Sequence, residues 1–308
     1  MENKFKTPIL FLTYNKHDTT MHVFNQIKKV NPKNLIIASD GAKNKSDEII
    51  INNLRNSFNE DLKDIKFHKI YNDENLGCKS AVTNAINKCF ELYSELIILE
   101  DDTLPSPSFF KYSEKVLDLY SGVSNINLIS GYNYLIKSNG RNSYNFSKYS
   151  NIWGWATWKS QWEDQVELNQ TNLKKFMKRD LSSTFYSEVE KDYYLERFHD
   201  VVYNNLDSWA FGLTFSNFYQ NKLSTIPKFN LVKNIGLGHE KATHTKNHTK
   251  MLISTPNINL GMFQRHNYLK KPIKVSNKND LKYYKKLILK NTIYNKITYK
   301  YLKLTKKN

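Results

Sequence analysis

Short, unbroken apolar runs alternate with longer amphipathic stretches along the first 130 residues. Pro8-Ile9-Leu10-Phe11-Leu12-Thr13-Tyr14 and Leu35-Ile36-Ile37-Ala38-Ser39 have strand length and no internal polar alternation, the pattern of strands covered on both faces. Between them, apolar positions recur at helical spacing from about Thr19 to Val30, and Asn31-Pro32-Lys33 stops that helix. A helix over Asp47–Phe58, a strand over Ile65–Tyr71, a helix over Cys78–Leu92 and a strand over Leu96–Leu99 repeat the theme. Such short β-to-α connections predict the α/β class: a mostly parallel central sheet with helices on both faces.

The second half is less regular. A helix is expected over Phe109–Tyr120, capped by Ser106 or Ser108, and a strand over Ile126–Ser130. Gly131–Tyr149, rich in Tyr, Asn and Ser, suits a loop or hairpin over a site. Trp162–Phe198 reads as a largely helical, charged covering layer, followed by an aromatic helix over Trp209–Tyr219. Leu223–Ile226 and Phe229–Val232 read as short strands.

Polar groups with chemical potential fall at the carboxyl ends of these strands, where open α/β sheets bind ligands. The fourth strand ends in Glu100-Asp101-Asp102. Strand alternation would turn Glu100 and Asp102 to one side and Asp101 to the other, offering oxygens to a hard divalent ion, Mg²⁺ or Mn²⁺. Alone, the triplet is equally well a solvated strand end. Asp40-Gly41 ends the second strand, and Asn72–Gly77 forms a polar loop ahead of the third helix. Neither G-x-G-x-x-G after the first strand nor G-x-x-x-x-G-K-[ST] occurs, so a bound diphosphate would have to be held by metal.

Further on, Trp153-Gly154-Trp155-Ala156-Thr157-Trp158 gathers three of the five tryptophans, rings that could stack on a sugar or pack under the sheet. Asp207 precedes the aromatic helix as either its N-cap or a general base. Asn234–Thr245 is a loop carrying Gly236, His239 and His244.

Composition narrows the reading. The 308 residues carry a net charge of +17, but fourteen lysines and arginines and the single Asp280 lie between Arg265 and Asn308, which leaves the preceding part only mildly basic. A nucleic-acid-binding face would spread that charge over the fold, and it would give the acidic triplet no role. Leu281, Tyr284, Ile288, Ile293, Ile297, Tyr301 and Leu304 recur at near-helical spacing among the lysines, as in a basic amphipathic helix on an anionic membrane or in an ordinary basic terminal helix. No apolar run approaches the ~20 residues of a membrane span. Cys78 and Cys89, roughly 16 Å apart on one helix, cannot pair, and a cytoplasmic protein, peripheral at most to the inner face of the membrane, is expected.

Taken in order, PILFLTYNKHD, ASDG, NDENLGCKSAVTNAI and ILEDDTLPSPSFFKY resemble the nucleotide-diphospho-sugar transferases of the GT-A fold. The nearest likeness is to the branch containing N-acetylglucosaminyltransferase I and its bacterial family 2-like relatives. The resemblance implies a GT-A domain over residues 1–265, with a nucleotide-sugar-binding half (1–105) and an acceptor-binding half (106–265), followed by a basic tail over 266–308. It implies that Asp40 binds the nucleobase and that Asn75, Gly77 and Lys79 lie near the ribose and sugar. Glu100-Asp101-Asp102 would be the D-x-D-type motif, with Asp102 as direct metal ligand and Glu100 beside it.

Thr13, Asn15 and Asp101 join that donor set, Trp155 is expected near the sugar, and His244 on a loop closing over the diphosphate. Asp207 matches the catalytic base of an inverting transfer, assisted by Mn²⁺ or Mg²⁺. The implied partners are a UDP-sugar donor and a glycan acceptor, as in bacterial surface polysaccharide synthesis. A metal-dependent nucleotidyltransferase of a sugar phosphate is the alternative enzyme. It would ordinarily carry a glycine-rich loop after the first strand, where this chain has Thr13-Tyr14-Asn15-Lys16-His17.

Overall fold

A computed structural model describes residues 4–62, 67–135, 143–237 and 269–289, apart from the Leu287 side chain. The apolar runs become strands: β1 (Ile9–Thr13), β2 (Leu35–Ser39) and β4 (Glu95–Glu100) are buried along nearly their whole length. Amphipathic helices α1 (His17–Lys29), α2 (Lys45–Asp61) and α3 (Gly77–Phe90) separate them, with β3 (His68–Tyr71) between α2 and α3. Val23, Phe24, Ile27, Leu54 and Phe58 pack on one face of the sheet, and Val82, Ala85, Ile86 and Phe90 on the other. Each of these side chains larger than Ala85 contributes about 1.5–3 kcal/mol by leaving water.

The main sheet has eight strands in the order β3-β2-β1-β4-β8-β6-β9-β7, completed by β6 (Ile126–Ser130), β7 (Tyr144–Ser147), β8 (Trp155–Trp158) and β9 (Leu223–Pro227). It is the mixed α/β architecture expected, with two antiparallel members: β8, inserted between β4 and β6, and β7 at the edge. A two-stranded antiparallel sheet pairs β5 (Thr103–Pro105) with β10 (Val232–Asn234). The strand expected over Phe229–Val232 therefore starts only at Val232, and Gly131–Tyr149 contributes the edge strand β7.

Register levels the strand ends. Thr13 pairs with Ser39 and Ser39 with Tyr71, while Leu12 of β1 pairs with Glu100 of β4. The segments after β1, β2, β3 and β4 thus emerge at one edge of the sheet. Sequence neighbours run outward from β1 to β3, then the chain returns to place β4 on the other side of β1. The crevice between the ends of β1 and β4 is the topological switch point of the sheet.

The remaining helices among the described residues are α4 (Pro107–Leu119), α5 (Lys159–Glu163), α6 (Gln170–Met177), α7 (Glu188–Tyr203), α8 (Trp209–Gln220), α9 (Asn277–Tyr283) and a π-helix over Tyr284–Leu289. Helix α4 begins with Pro107 after Ser106, whose buried hydroxyl makes no capping bond. The stretch expected as a solvated layer instead builds its own core. Leu173, Phe176, Tyr194 and Phe198 pack on Phe215 and Phe218 of α8, because the apolar faces of α6 and α7 find each other. Tyr284 and Ile288 join this cluster, and Ser276 N–H donates to Phe146 O at 2.9 Å, so residues 269–289 pack on the domain. Ile293, Ile297, Tyr301 and Leu304 lie outside the described residues. Among the described residues no helix is long and apolar enough to cross a membrane.

Candidate functional site

The switch-point crevice is lined by charge. Strand β4 ends at Glu100, and a tight turn follows in which Thr103 Oγ1 accepts from Glu100 N–H (2.8 Å) and donates to Glu100 O (3.0 Å). The pleat therefore stops before Asp101, and the alternation expected for Glu100, Asp101 and Asp102 does not hold. Asp101 and Asp102 instead converge on one cation, the ammonium of Lys16 at the start of α1: Nζ lies 3.2 Å from Asp101 Oδ1 and 2.7 Å from Asp102 Oδ2. Tyr14 N–H donates to the other Asp101 oxygen at 3.2 Å.

The electrostatics follow from burial among like charges. Burial, then Asp102 and Asp101, pushes the Glu100 carboxyl up to about 8. Asp101 is raised by burial against the pull of Lys16. Burial opposes charge on Lys16, but Asp101 and Asp102 outweigh it and hold the ammonium above the ordinary lysine range.

Beside this cluster, Asp40 organises the β3–α3 loop. Its carboxylate accepts from Asn72 Nδ2 (3.0 Å), Asn75 Nδ2 (3.0 Å) and Leu76 N–H (3.1 Å). Gly41 is required at the next position, since a Cβ there would stand 2.2 Å from the backbone carbonyl carbon of Glu74. Arg55 of α2 ties the two strand ends together, donating to Ser39 O (3.0 Å), Asp40 O (3.3 Å) and Asn72 O (2.8 Å) over the Tyr71 ring.

Helix α3 opens into the same space. Gly77 takes a left-handed φ of +80°, and the next two N–H groups, of Cys78 and Lys79, donate to Asp207 at 2.7 and 2.8 Å. Asp207 is exposed and comes from the segment before α8, but the cap of α8 is Ser208, which accepts from Phe211 N–H. Sequence offered Asp207 as cap of its own helix or as base; its carboxylate caps a helix 129 residues away. Burial, then Glu100, Asp207 and Asp40, pushes the Cys78 thiol up to about 12. On the far side, Ile235 N–H donates to Asp102 O at 2.8 Å, and a Cβ on Gly236 would lie 2.3 Å from Asp102 Oδ2.

Asp101 and Asp102 are a donor set suited to a hard cation, since Lys16 already stands there as a cation between their oxygens. A divalent ion bound in its place would supply charge neutralisation to a phosphate ligand. Among the described residues no group of three or more His, Cys, Asp or Glu side chains is placed to hold an ion. Glu100, expected beside Asp102 as a ligand, does not join the Lys16 cluster by any contact shown.

Models of protein families give no match to the chain, and neither do curated proteins. Solved structures give distant likenesses. One is named for a glucose-1-phosphate thymidylyltransferase from Bacillus anthracis in complex with a sucrose, at 13% identity and TM-score 0.31 over 62% of this chain and 83% of that one. A UDP-glucose pyrophosphorylase complexed with UDP-glucose matches at 8% identity and TM-score 0.33 over 73% and 91%. The 4-diphosphocytidyl-2C-methyl-D-erythritol synthase from Anaerococcus prevotii matches at 11% identity and TM-score 0.29 over 71% and 100%. At these scores the likenesses carry no argument about substrate or reaction.

The other expected residues divide. Thr13 is buried and spends its hydroxyl on Ala38 O at 3.0 Å, a bond between β1 and β2. Asn15 reaches Asp47 Oδ1 at 2.7 Å, beside Tyr14 OH on Oδ2 at 3.1 Å, and so anchors the β1–α1 loop to α2. Trp155 requires a correction: it is fully buried in β8 and stacked on Trp209 at 5.5 Å, so neither face is open to a sugar. The alternation of β8 turns it into the core with Leu213 and Ile98. His239 and His244 lie outside the described residues.

Two site residues were missed in sequence, Lys16 and Arg55. For Lys16 a signal was available, a lysine in the short turn between the first strand and the first helix; Arg55 sits mid-helix, where nothing local marks it.

Proposed function

We propose that the chain is a transferase that binds a nucleoside-diphosphate sugar across the carboxyl ends of β1, β2 and β4. The observation that carries this reading is the convergence at the switch point of Lys16, Asp101, Asp102 and the start of α3, with the Asp40 loop alongside. In this reading the nucleoside lies toward Asp40 and Asn75, and the diphosphate lies between the start of α3 and Lys16. Asp101 and Asp102 would hold a divalent ion, Mg²⁺ or Mn²⁺, which neutralises the phosphates. The donor is a UDP-sugar, and the reaction is glycosyl transfer to a hydroxyl of a glycan. Asp207 is the group for deprotonating that hydroxyl: it is exposed, fixed by two N–H donors, and keeps a second lone pair on each oxygen.

A second reading, nucleotidyl transfer to a sugar phosphate, is favoured by Lys16 itself. An ammonium beside two carboxylates at the end of β1 is equally placed to meet the charge that develops on a phosphoryl group. It leaves Asp207 as a structural cap and needs no base for a hydroxyl.

One pair of assays separates these. The full chain is incubated either with UDP-sugars and a glycan acceptor, scored by UDP release, or with UTP and hexose 1-phosphates, scored by pyrophosphate release. Acceptor-dependent UDP release supports glycosyl transfer, and pyrophosphate release supports the second reading. Calorimetry that finds no binding of UDP, GDP, dTDP or ADP, with or without Mn²⁺, would overturn both.

A further inference from the structure

The cation between Asp101 and Asp102 is built into the fold. Lys16 directly precedes α1, and its carbonyl is fixed by the hydroxyls of Thr19 and Thr20 and by the Thr20 N–H. Thr20 is fully buried, so the backbone that carries the lysine is anchored in the core. The side chain is itself only 12% exposed. The backbone of Gly236 packs against the Asp102 carboxylate, so that an added Cβ would lie 2.3 Å from Asp102 Oδ2. A divalent ion that binds the oxygens Lys16 now holds, Asp101 Oδ1 and Asp102 Oδ2, has to take the place of the lysine.

We propose that Lys16 is a displaceable counter-ion, exchanged between the Asp101–Asp102 pair and the diphosphate of the incoming nucleotide, which makes binding of metal and nucleotide mutually dependent. This rests on the nucleotide reading above for its second half only.

Charge balance drives the exchange. With Lys16 on the pair, one positive charge faces two negative ones, and a diphosphate approaching that cluster meets an uncompensated negative charge. With a divalent ion on the pair, the carboxylates are neutralised and the released ammonium has the diphosphate as its new partner. Neither ligand alone reaches that arrangement. The ion alone must strand a nearly buried ammonium, and the diphosphate alone must strand two carboxylates. Each binding event thus removes the cost that opposes the other, which is positive coupling between two ligands.

The test measures Mn²⁺ binding by electron paramagnetic resonance on the full chain, with and without UDP, corrected for the complex of Mn²⁺ with UDP itself. Lys16→Met and Lys16→Gln are compared with the parent, and circular dichroism confirms folding. For the parent, UDP is expected to tighten Mn²⁺ binding at least tenfold. Mn²⁺ alone is expected to bind Lys16→Met at least tenfold more tightly than the parent, with the effect of UDP reduced to a few-fold.

Equal Mn²⁺ affinity of folded Lys16→Met or Lys16→Gln and the parent would overturn the displacement. If both variants fail to fold, the parent alone decides: tight Mn²⁺ binding without UDP, unchanged by UDP, overturns the proposal, and coupling supports it. If UDP binds the parent under no condition, the nucleotide reading falls, while the comparison of Mn²⁺ alone still decides whether Lys16 guards the carboxylates.

Discussion

Removal of Asp207 tests the contact that joins the two halves of the crevice. Helix α3 begins after Leu76, which offers no side-chain oxygen to the first turn. Two of its free N–H groups are taken by Asp207, at 2.7 and 2.8 Å, and the N–H of Leu76 is taken by Asp40. Loss of a helix-capping oxygen costs about 0.5–2 kcal/mol, and loss of a negative charge at a helix N-terminus about 0.3–1 kcal/mol, less in salt. Asp207→Ala is therefore expected to lower the unfolding free energy by about 1–3 kcal/mol in urea titration followed by far-ultraviolet circular dichroism.

Hydrogen exchange localises the effect. The Cys78 and Lys79 amides should lose about tenfold or more of their protection, one decade for each ~1.4 kcal/mol of local stability. An unchanged urea midpoint together with unchanged amide protection would show that the cap does not form in solution. Asp207→Asn then separates capping from catalysis, since the amide oxygen can still accept one N–H. A base at this position predicts a fall in turnover of more than a hundredfold with at most about 1 kcal/mol of stability lost. A cap alone predicts that the small loss of stability is the whole effect.

Three other outcomes are expected. Gly41→Ala must push the backbone of Glu74 away from β2, and with it the loop that Asp40 holds, so urea denaturation should show a loss of about 2 kcal/mol or more and weaker UDP binding. Trp155→Ala should cost about 3–5 kcal/mol, as for any large aromatic removed from a packed core, whereas a sugar-stacking residue would lose ligand affinity with little change in stability. Burial, against bonds from Ser147 and Lys148, pushes the Asp280 carboxyl up to about 6. Its contribution to stability is present below about pH 4 and is lost as pH rises to about 6, so Asp280→Asn should gain relative to the parent across that window, by an amount on the order of 3 kcal/mol. A mutant-minus-parent difference that does not change between pH 4 and pH 7 would show that burial does not hold the proton.

The sequence was most readable where one physical signal dominated. The unbroken apolar runs at Ile9, Leu35 and Leu96 could only be covered strands, and their spacing fixed the parallel half of the sheet. Beyond residue 130 that signal fades. The four residues of β8 are indistinguishable in sequence from an aromatic binding cluster, because the same Trp-rich composition serves a sugar platform and a buried antiparallel strand. Asp40 was legible as an acid at a strand end, but its three partners arise from a loop 32–36 residues on. The acidic triplet was legible as charge and not as geometry. Only the turn closed by Thr103 shows that Asp101 and Asp102, not Glu100 and Asp102, act together.

Helix α2 ties one half of this crevice together. Asp47 in its first turn holds Tyr14 and Asn15 after β1, and Arg55, about two turns later, holds the carbonyls of Ser39, Asp40 and Asn72 after β2 and β3. Three strand ends are thereby spaced by a single helix, and the Asp40 loop is built on that spacing. The contacts opposite are of another kind. Lys16 on its two carboxylates is an ion pair whose partners a charged ligand can replace in kind. In the proposed reading a divalent ion takes the place of Lys16, and Asp207 stays on the start of α3. In that reading the entering charges take up partners already present, and the preformed half supplies the orientation.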